Sequence, residues 1–457
     1  MQTTFKAMIA PPAHRRRVLF CTGYDPNGPG FFYNLFKREF HRYCDRFDFT
    51  GKVSNCHDDD DRVLSHWQVE MEGGGWTGAT DYSVMNWDDV VKNYMDRPWW
   101  MVLFQKLVCD VDALATGTYW RMCRLNWRFG LACTYPTLAV LVLGLVAAAV
   151  GWGVHALASP LAMPVWGGIT LAMMMGLVTF VIGYRLLSWK NFLHLLLTDG
   201  IFSFRHARGK CKDYNQRVDV FAARLVNAVQ TSDHDELLIV GHSSGSFCAV
   251  EVLARALRQD PELLQRGPKV GLLTLGANLP LIGCHPRADS FRRDVALVAA
   301  QQELFWLEYQ ATEDLLNFPD FDPIRDLPGI SLESPQMNPV VHSACVHQSL
   351  SPANYKRFRF NCFRVHFQYL MAIDRLVPCD YMMIVAGPAS LEIRGLDPAA
   401  AMAICHGPGA WTGTDEELHP LVPLPSDRMP KLPRVKPQFR ADLPPESVVQ
   451  PTPQSSP

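Results

Sequence analysis

The chain holds thirteen cysteines and no C-x-x-C pair. Such a scatter does not read as a disulfide framework; it suits reduced thiols in a cytosolic compartment. An excess of one charge is also lacking. The formal net charge is −2, so nothing points to a nucleic-acid partner. Residues 1–17 contain Pro11, Pro12 and Arg15-Arg16-Arg17 but no apolar run, so no cleaved secretory signal is expected. The longest absence lies further in: residues 129–184 contain no Asp, Glu, Lys or Arg. Crossing a bilayer as a helix takes about 20 residues, so this stretch has the length for two passes. Glycines and prolines between Gly151 and Pro164 divide it, with helices expected at 135–155 and 164–184. Arg121, Arg124 and Arg128 flank the entry, Arg185 and Lys190 flank the exit, and the connecting loop has no basic residue. That asymmetry predicts cytoplasmic outer ends. Trp152, Trp166 and Trp189 fall where interfacial aromatics belong.

What the chain does have is Leu237-Leu238-Ile239-Val240-Gly241-His242-Ser243-Ser244-Gly245-Ser246. A short apolar run stops at a glycine, and a helical pattern follows a second glycine. This is G-x-S-x-G between a strand and a helix, the context in which such a serine stands exposed on a tight turn. Glycines are expected at both flanks because side chains there would collide across the turn. The Ser244 backbone N–H would then face the oxygen of an attacked carbonyl, with the helix N-terminus behind it.

The surrounding pattern is α/β. Residues 17–23 read as a buried strand entering a glycine-bearing loop, followed by an amphipathic helix at 31–44 with Phe32, Leu35, Phe36, Phe40 and Tyr43 on one face. A second donor for a developing oxyanion is assigned to the Tyr24 N–H, with Gly23 allowing close approach. Residues 47–53 read as another strand. The acidic run at 58–61 reads as a solvated loop rather than a cation site, since adjacent carboxylates cannot all meet one ion. A helix at 213–229 leads to the elbow strand, and residues 270–275 supply the next strand. Strand–helix–strand at this spacing implies a parallel sheet flanked by helices.

A serine hydroxyl needs a base to take its proton. Residues 304–309 read as a strand, and Asp314 stands in the loop after it; Asp320 or Asp322 would serve if the strand ended later. Residues 357–365 alternate basic and aromatic side chains, the period of a strand with one face buried, and His366 closes that run. His342 and His347 lie in a Pro/Ser-rich loop and are weaker candidates. Residues 382–385 suggest one more element. Beyond 401 prolines recur and periodicity vanishes, which predicts a disordered tail.

The elbow, the order Ser–Asp–His and the strand pattern resemble the α/β-hydrolase superfamily, over residues 17–54 and 213–371. The resemblance implies a serine hydrolase of esterase or lipase type, with Ser243, Asp314 and His366 catalytic, Ser244, Tyr24 and Gly23 around the oxyanion, and no metal or cofactor. The chain departs from the family in lacking an HGGG motif and in carrying a hydrophobic hairpin ahead of the elbow strand. The expected organisation is a first hydrolase part at 1–128, the hairpin at 129–188, a second hydrolase part at 189–400 and the tail at 401–457. The expected function is hydrolysis of carboxylic esters at the membrane, an acyl lipid being the substrate class the location suggests. The alternatives are a catalytically silent membrane scaffold and an acyltransferase.

Overall fold

Leu237, Leu238, Ile239 and Val240 are apolar at successive positions, which a strand buried on both faces requires. In the computed structural model, which describes residues 14–159, 164–330 and 338–410, all four side chains are fully buried. Leu237 and Ile239 join one hydrophobic core, Leu238 and Val240 the other, as alternation along a strand dictates. The sheet between these cores comprises β1 (His14–Cys21), β2 (Thr50–Val53), β3 (His57–Asp58), β4 (Leu64–Gly73), β5 (Trp76–Met85), β6 (Glu236–His242), β7 (Lys269–Leu275), β8 (Phe305–Gln310) and β9 (Val340–Ser343). Their order is β2-β4-β5-β1-β6-β7-β8-β9, with β3 beside β4. Pairing is parallel from β5 to β9, and β4 is antiparallel to its neighbours. The fold is thus mixed α/β around a mostly parallel sheet.

The first helices are α1 (Pro29–Phe47), α2 (Asp88–Met95), α3 (Trp99–Ala115), α4 (Thr118–Leu125), α5 (Trp127–Ala158), α6 (Val165–Asn191), α7 (Leu193–Ala207), α8 (Lys212–Thr231) and α9 (Gly245–Gln259). Helices α5 and α6 form the expected hairpin, and both are long and apolar enough to cross a membrane. Only 17% and 6% of their most apolar windows are buried. A core hairpin of a soluble domain would be largely covered. Both helices run past the predicted ends: α5 has 32 residues and α6 has 27. The extra first turn of α5 packs on the sheet domain, with the Phe129 ring 4.3 Å from Phe318.

Three other expectations change. Residues 357–366 form no strand. Pro352–Phe358 and Cys362–His366 are short helices. Ser351 Oγ accepts from the Asn354 N–H at 3.4 Å and Asn361 Oδ1 from the Arg364 N–H at 3.0 Å, capping each in turn. The basic–aromatic alternation reflects surface stacking, Arg359 over Phe360 at 4.6 Å and Arg364 over Phe358 at 4.6 Å. The strand predicted at 47–53 begins only at Thr50, because α1 continues through Phe47 and stops at Asp48 in the left-handed region. The element at 382–385 is the buried helix Tyr381–Ala386. Residues 398–406 also form a helix, with Ala401 and Cys405 fully buried. The expected tail begins at 401, but its first residues are helical instead; the rest of it, from 411 onward, lies, like the turn at 160–163, outside the described residues.

One buried cation ties the ends of the fold together. Arg16, in β1, donates to Glu236 at 2.8 Å and to the carbonyls of Ile384, Gly387 and Ala389 at 2.6, 2.9 and 2.9 Å. Burial, the largest single influence, would raise the Glu236 carboxyl, but Arg16, His14 and the Leu391 N–H together outweigh it and hold Glu236 down at about 2.

Candidate active site

Strand β6 ends at His242 and hands the chain to Ser243, whose φ is 57°. A serine adopts the left-handed region at a cost, so its neighbours must impose it. The Ser243 N–H donates to Leu275 O at the end of β7 at 3.0 Å. A Cβ on Gly241 would lie 2.5 Å from Ser246 Cα, and one on Gly245 would strike the carbonyl oxygens of Cys21 and Thr22. Hydrogen is therefore required at both places. The Ser244 N–H stands at the start of α9, where N–H groups have no intrahelical acceptor. Gly23 faces the serine: its Cβ position is 3.7 Å from Ser243 Oγ.

Asp314 lies in the turn after β8. Its Oδ1 accepts from the Leu316 N–H at 2.9 Å and its Oδ2 from His366 Nδ1 at 2.7 Å. The first bond is a local turn bond, so the carboxylate serves both a structural and a longer-range partner. Bonding at Nδ1 leaves His366 Nε2 as the ring nitrogen that can meet another group. That atom is buried and has no hydrogen bond among the described residues. His366 thus pairs with Asp314 as expected, although from a helix end rather than a strand end. The rejected candidates have other partners. His342, on β9, bonds Gly395 O at 2.8 Å; His347 bonds Glu313; and Asp322 caps the helix Pro323–Asp326 through the Ile324 N–H at 2.8 Å.

Two residues at this site escaped the sequence reading. His242 Nε2 donates to the His366 carbonyl at 2.9 Å, and the two rings lie 4.8 Å apart. Burial, then His366, push His242 down to about 3, so it stays neutral and acts as a fixed donor. Asn278 Nδ2 donates to Ser243 Oγ at 3.2 Å, and the Asn278 N–H donates to Ser246 Oγ at 3.1 Å. Its place, three residues beyond a strand adjacent to the elbow strand, is the signal that could have found it.

Ser243, Ser244, Gly23, Tyr24 and His366 line one cavity of about 1820 Å³; Asp314 is buried and stands behind His366. Small-ligand pockets usually measure roughly 300–1,000 Å³, so this one exceeds the needs of a small substrate. Its walls include the inner sides of α3, α5, α6 and α7. They are mainly apolar, with polar and charged side chains among them; two of these matter here. Lys106 bonds Asp110, and it bonds Thr137 of α5 at 3.1 Å. The Asp199 carboxyl, on α7, has an Oδ1 closed off from solvent and unpartnered among the described residues, and burial pushes it up to about 7. No cluster of His, Cys, Asp and Glu suited to a metal occurs among the described residues. No disulfide joins any of the cysteines among the described residues. No family model, no curated protein and no solved structure matches the chain.

Proposed function

We propose that the chain is a membrane-anchored serine hydrolase of the α/β-hydrolase type that cleaves carboxylic esters. The observation carrying this reading is the 2.7 Å bond between Asp314 and His366, 52 residues apart in sequence, beside a serine held at φ 57°. In the proposed cycle His366 Nε2 takes the Ser243 proton as Oγ attacks the ester carbonyl. The C–O bond to the alcohol breaks, and the imidazolium returns the proton to the departing oxygen. Water, deprotonated by the same nitrogen, then releases the acid from the acyl-serine. Asp314 stabilises the imidazolium. The N–H groups of Ser244 and Tyr24 hold the oxyanion, with Gly23 keeping that space clear. Loss of one such donor costs on the order of 10²–10³ in rate. The arginines at the ends of the hairpin support a cytoplasmic position for the soluble body. The substrate class is an ester, an acyl lipid on grounds of location, and no cofactor is called for.

One observation favours a second reading, a silent scaffold: Ser243 Oγ accepts from Asn278, and His366 Nε2 has no hydrogen bond to it or to any other described residue. Catalytic hydrogen bonds are often loose before substrate binds. A fluorophosphonate probe on isolated membranes decides between the two. Labelling of the wild type that is lost in Ser243→Ala and His366→Ala and slowed on the order of 10³-fold or more in Asp314→Asn supports the hydrolase. A wild type that never labels leaves the scaffold.

A further inference from the structure

Helix α3 has no role in the proposed chemistry, yet its outer side is wholly apolar. Trp100, Phe104, Leu107, Val108 and Val111 are all exposed, and they recur at helical spacing, so they form one stripe. The charged residues turn inward. Lys106 and Asp110 bond each other and Thr137, while Asp112 binds Arg208 at 2.6 Å and His285 at 3.0 Å. Those charges hide the helix from any hydropathy reading. It lies against the hairpin, with the Trp99 ring 5.6 Å from Phe180 and 6.4 Å from Tyr184. Its stripe therefore starts beside the exposed apolar surface of α6. An apolar stripe of this extent in water marks a docking surface, and its place beside the hairpin names the occupant as lipid.

The cavity rim carries the second observation. Trp189 and Phe192, at the end of α6, line the cavity together with Phe360. They are exposed, Trp189 by 76% and Phe360 by 82%. Phe363 packs on Phe192 with ring centroids 4.3 Å apart, Lys190 lies 5.9 Å over Trp189, and Arg359 stacks on Phe360. Aromatic and basic side chains together at the end of a span are the composition of the headgroup zone.

We infer that the cavity is filled from the bilayer: α3 is a third lipid-seated element that walls it, and the Trp189–Phe192–Phe360 rim admits a long acyl chain of a membrane phospholipid, its ester carbonyl led toward Ser243. The inference rests on the membrane-anchored hydrolase reading. The volume of about 1820 Å³ and a lining that is mainly apolar despite the charges on α3 and α7 suit a chain rather than a polar substrate.

The test uses the full-length protein in phosphatidylcholine–phosphatidylglycerol vesicles containing a diazirine-acyl phosphatidylcholine. Peptide mapping after irradiation is expected to find adducts on Phe104, Leu107 or Val111 as well as on α5 and α6, and on Cys133 or Leu196 inside the cavity. Adducts confined to α5 and α6 would overturn it. In parallel, Phe104→Ser and Leu107→Ser are expected to slow hydrolysis of vesicle phosphatidylcholine about tenfold, leaving p-nitrophenyl butyrate hydrolysis unchanged. Butyrate hydrolysis with untouched vesicle lipid sinks the loading inference alone. No hydrolysis of either ester and no fluorophosphonate labelling sink the catalytic reading, and the α3 adducts still judge the seating.

Discussion

The nucleophile side and the acid–base side of the site are held by different means. Ser243 is fixed by backbone: the ends of β1, β6 and β7, two glycines with no room for a methyl, and the first turn of α9. Asp314 and His366 are fixed by side chains reaching between loops and short helices. The hairpin takes part in that second arrangement. Asn126 Nδ2 donates to Asn317 O at 2.8 Å, Arg128 donates to Thr312 O at 3.0 Å, and Phe129 packs on Phe318. All three partners belong to the loop carrying Asp314. At the other end, Phe192 packs on Phe363, three residues before His366. A sheet end tolerates little change, whereas a brace of side chains can be loosened by degrees.

The largest effect is expected where the backbone decides. Gly245→Ala drives a methyl into the carbonyls of Cys21 and Thr22, and neither end of a central strand can retreat. A loss above about 3 kcal/mol is expected, seen as a large drop in thermal midpoint in detergent together with loss of fluorophosphonate labelling. A variant that melts and labels like the parent would show that the elbow is not packed as described.

A smaller, graded effect is expected on the braced side. Phe129→Ala removes the ring that supports Phe318, while Ser243 keeps its backbone contacts. The labelling rate should fall about tenfold, near 1.4 kcal/mol of barrier, with folding retained. Unchanged labelling would mean that the hairpin holds the domain without steadying Asp314.

The smallest effect concerns the cavity wall. The Asp199 carboxyl is raised to about 7, against about 3.9 for an unfolded chain. The folded protein therefore keeps a proton that the unfolded chain has lost across this window. Stability falls as pH rises from about 4 to 7 and levels off above that. Asp199→Asn should flatten this slope and raise stability at pH 8 by roughly 1 kcal/mol, since part of the side chain meets solvent. Thermal midpoints of both proteins between pH 5 and 8 would show it; parallel curves would count against it.

This contrast also explains what could be read in advance. The elbow was legible because its glycines are a steric necessity written into adjacent residues. The hairpin was legible because an uncharged stretch that long has few other uses. The alternating sheet and the pairing of Asp314 with His366 followed from chain order. The local structure around His366 was not legible, because Arg357-Phe358-Arg359-Phe360 has the period of a strand, and only the caps at Ser351 and Asn361 show two helical turns. Asn278 and His242 were missed because each acts through a contact across elements, which no local pattern records. The apolar outer side of α3 was not legible because Lys106, Asp110 and Asp112 lower the helix's hydropathy while pointing away from that side.

Strand β1 hydrogen-bonds to β5 on one side and to β6 on the other, and the uncharged hairpin lies between β5 and β6 in the chain. A sheet cannot be stitched together through a bilayer, so both partners of β1 must emerge on the same leaflet side. The number of crossings between residues 86 and 235 is therefore even. Helix α3 can sink into one leaflet, but it must return to the face it entered from. In the membrane-anchored reading, reversing a single span by redistributing flanking arginines would leave half of the sheet stranded across the membrane.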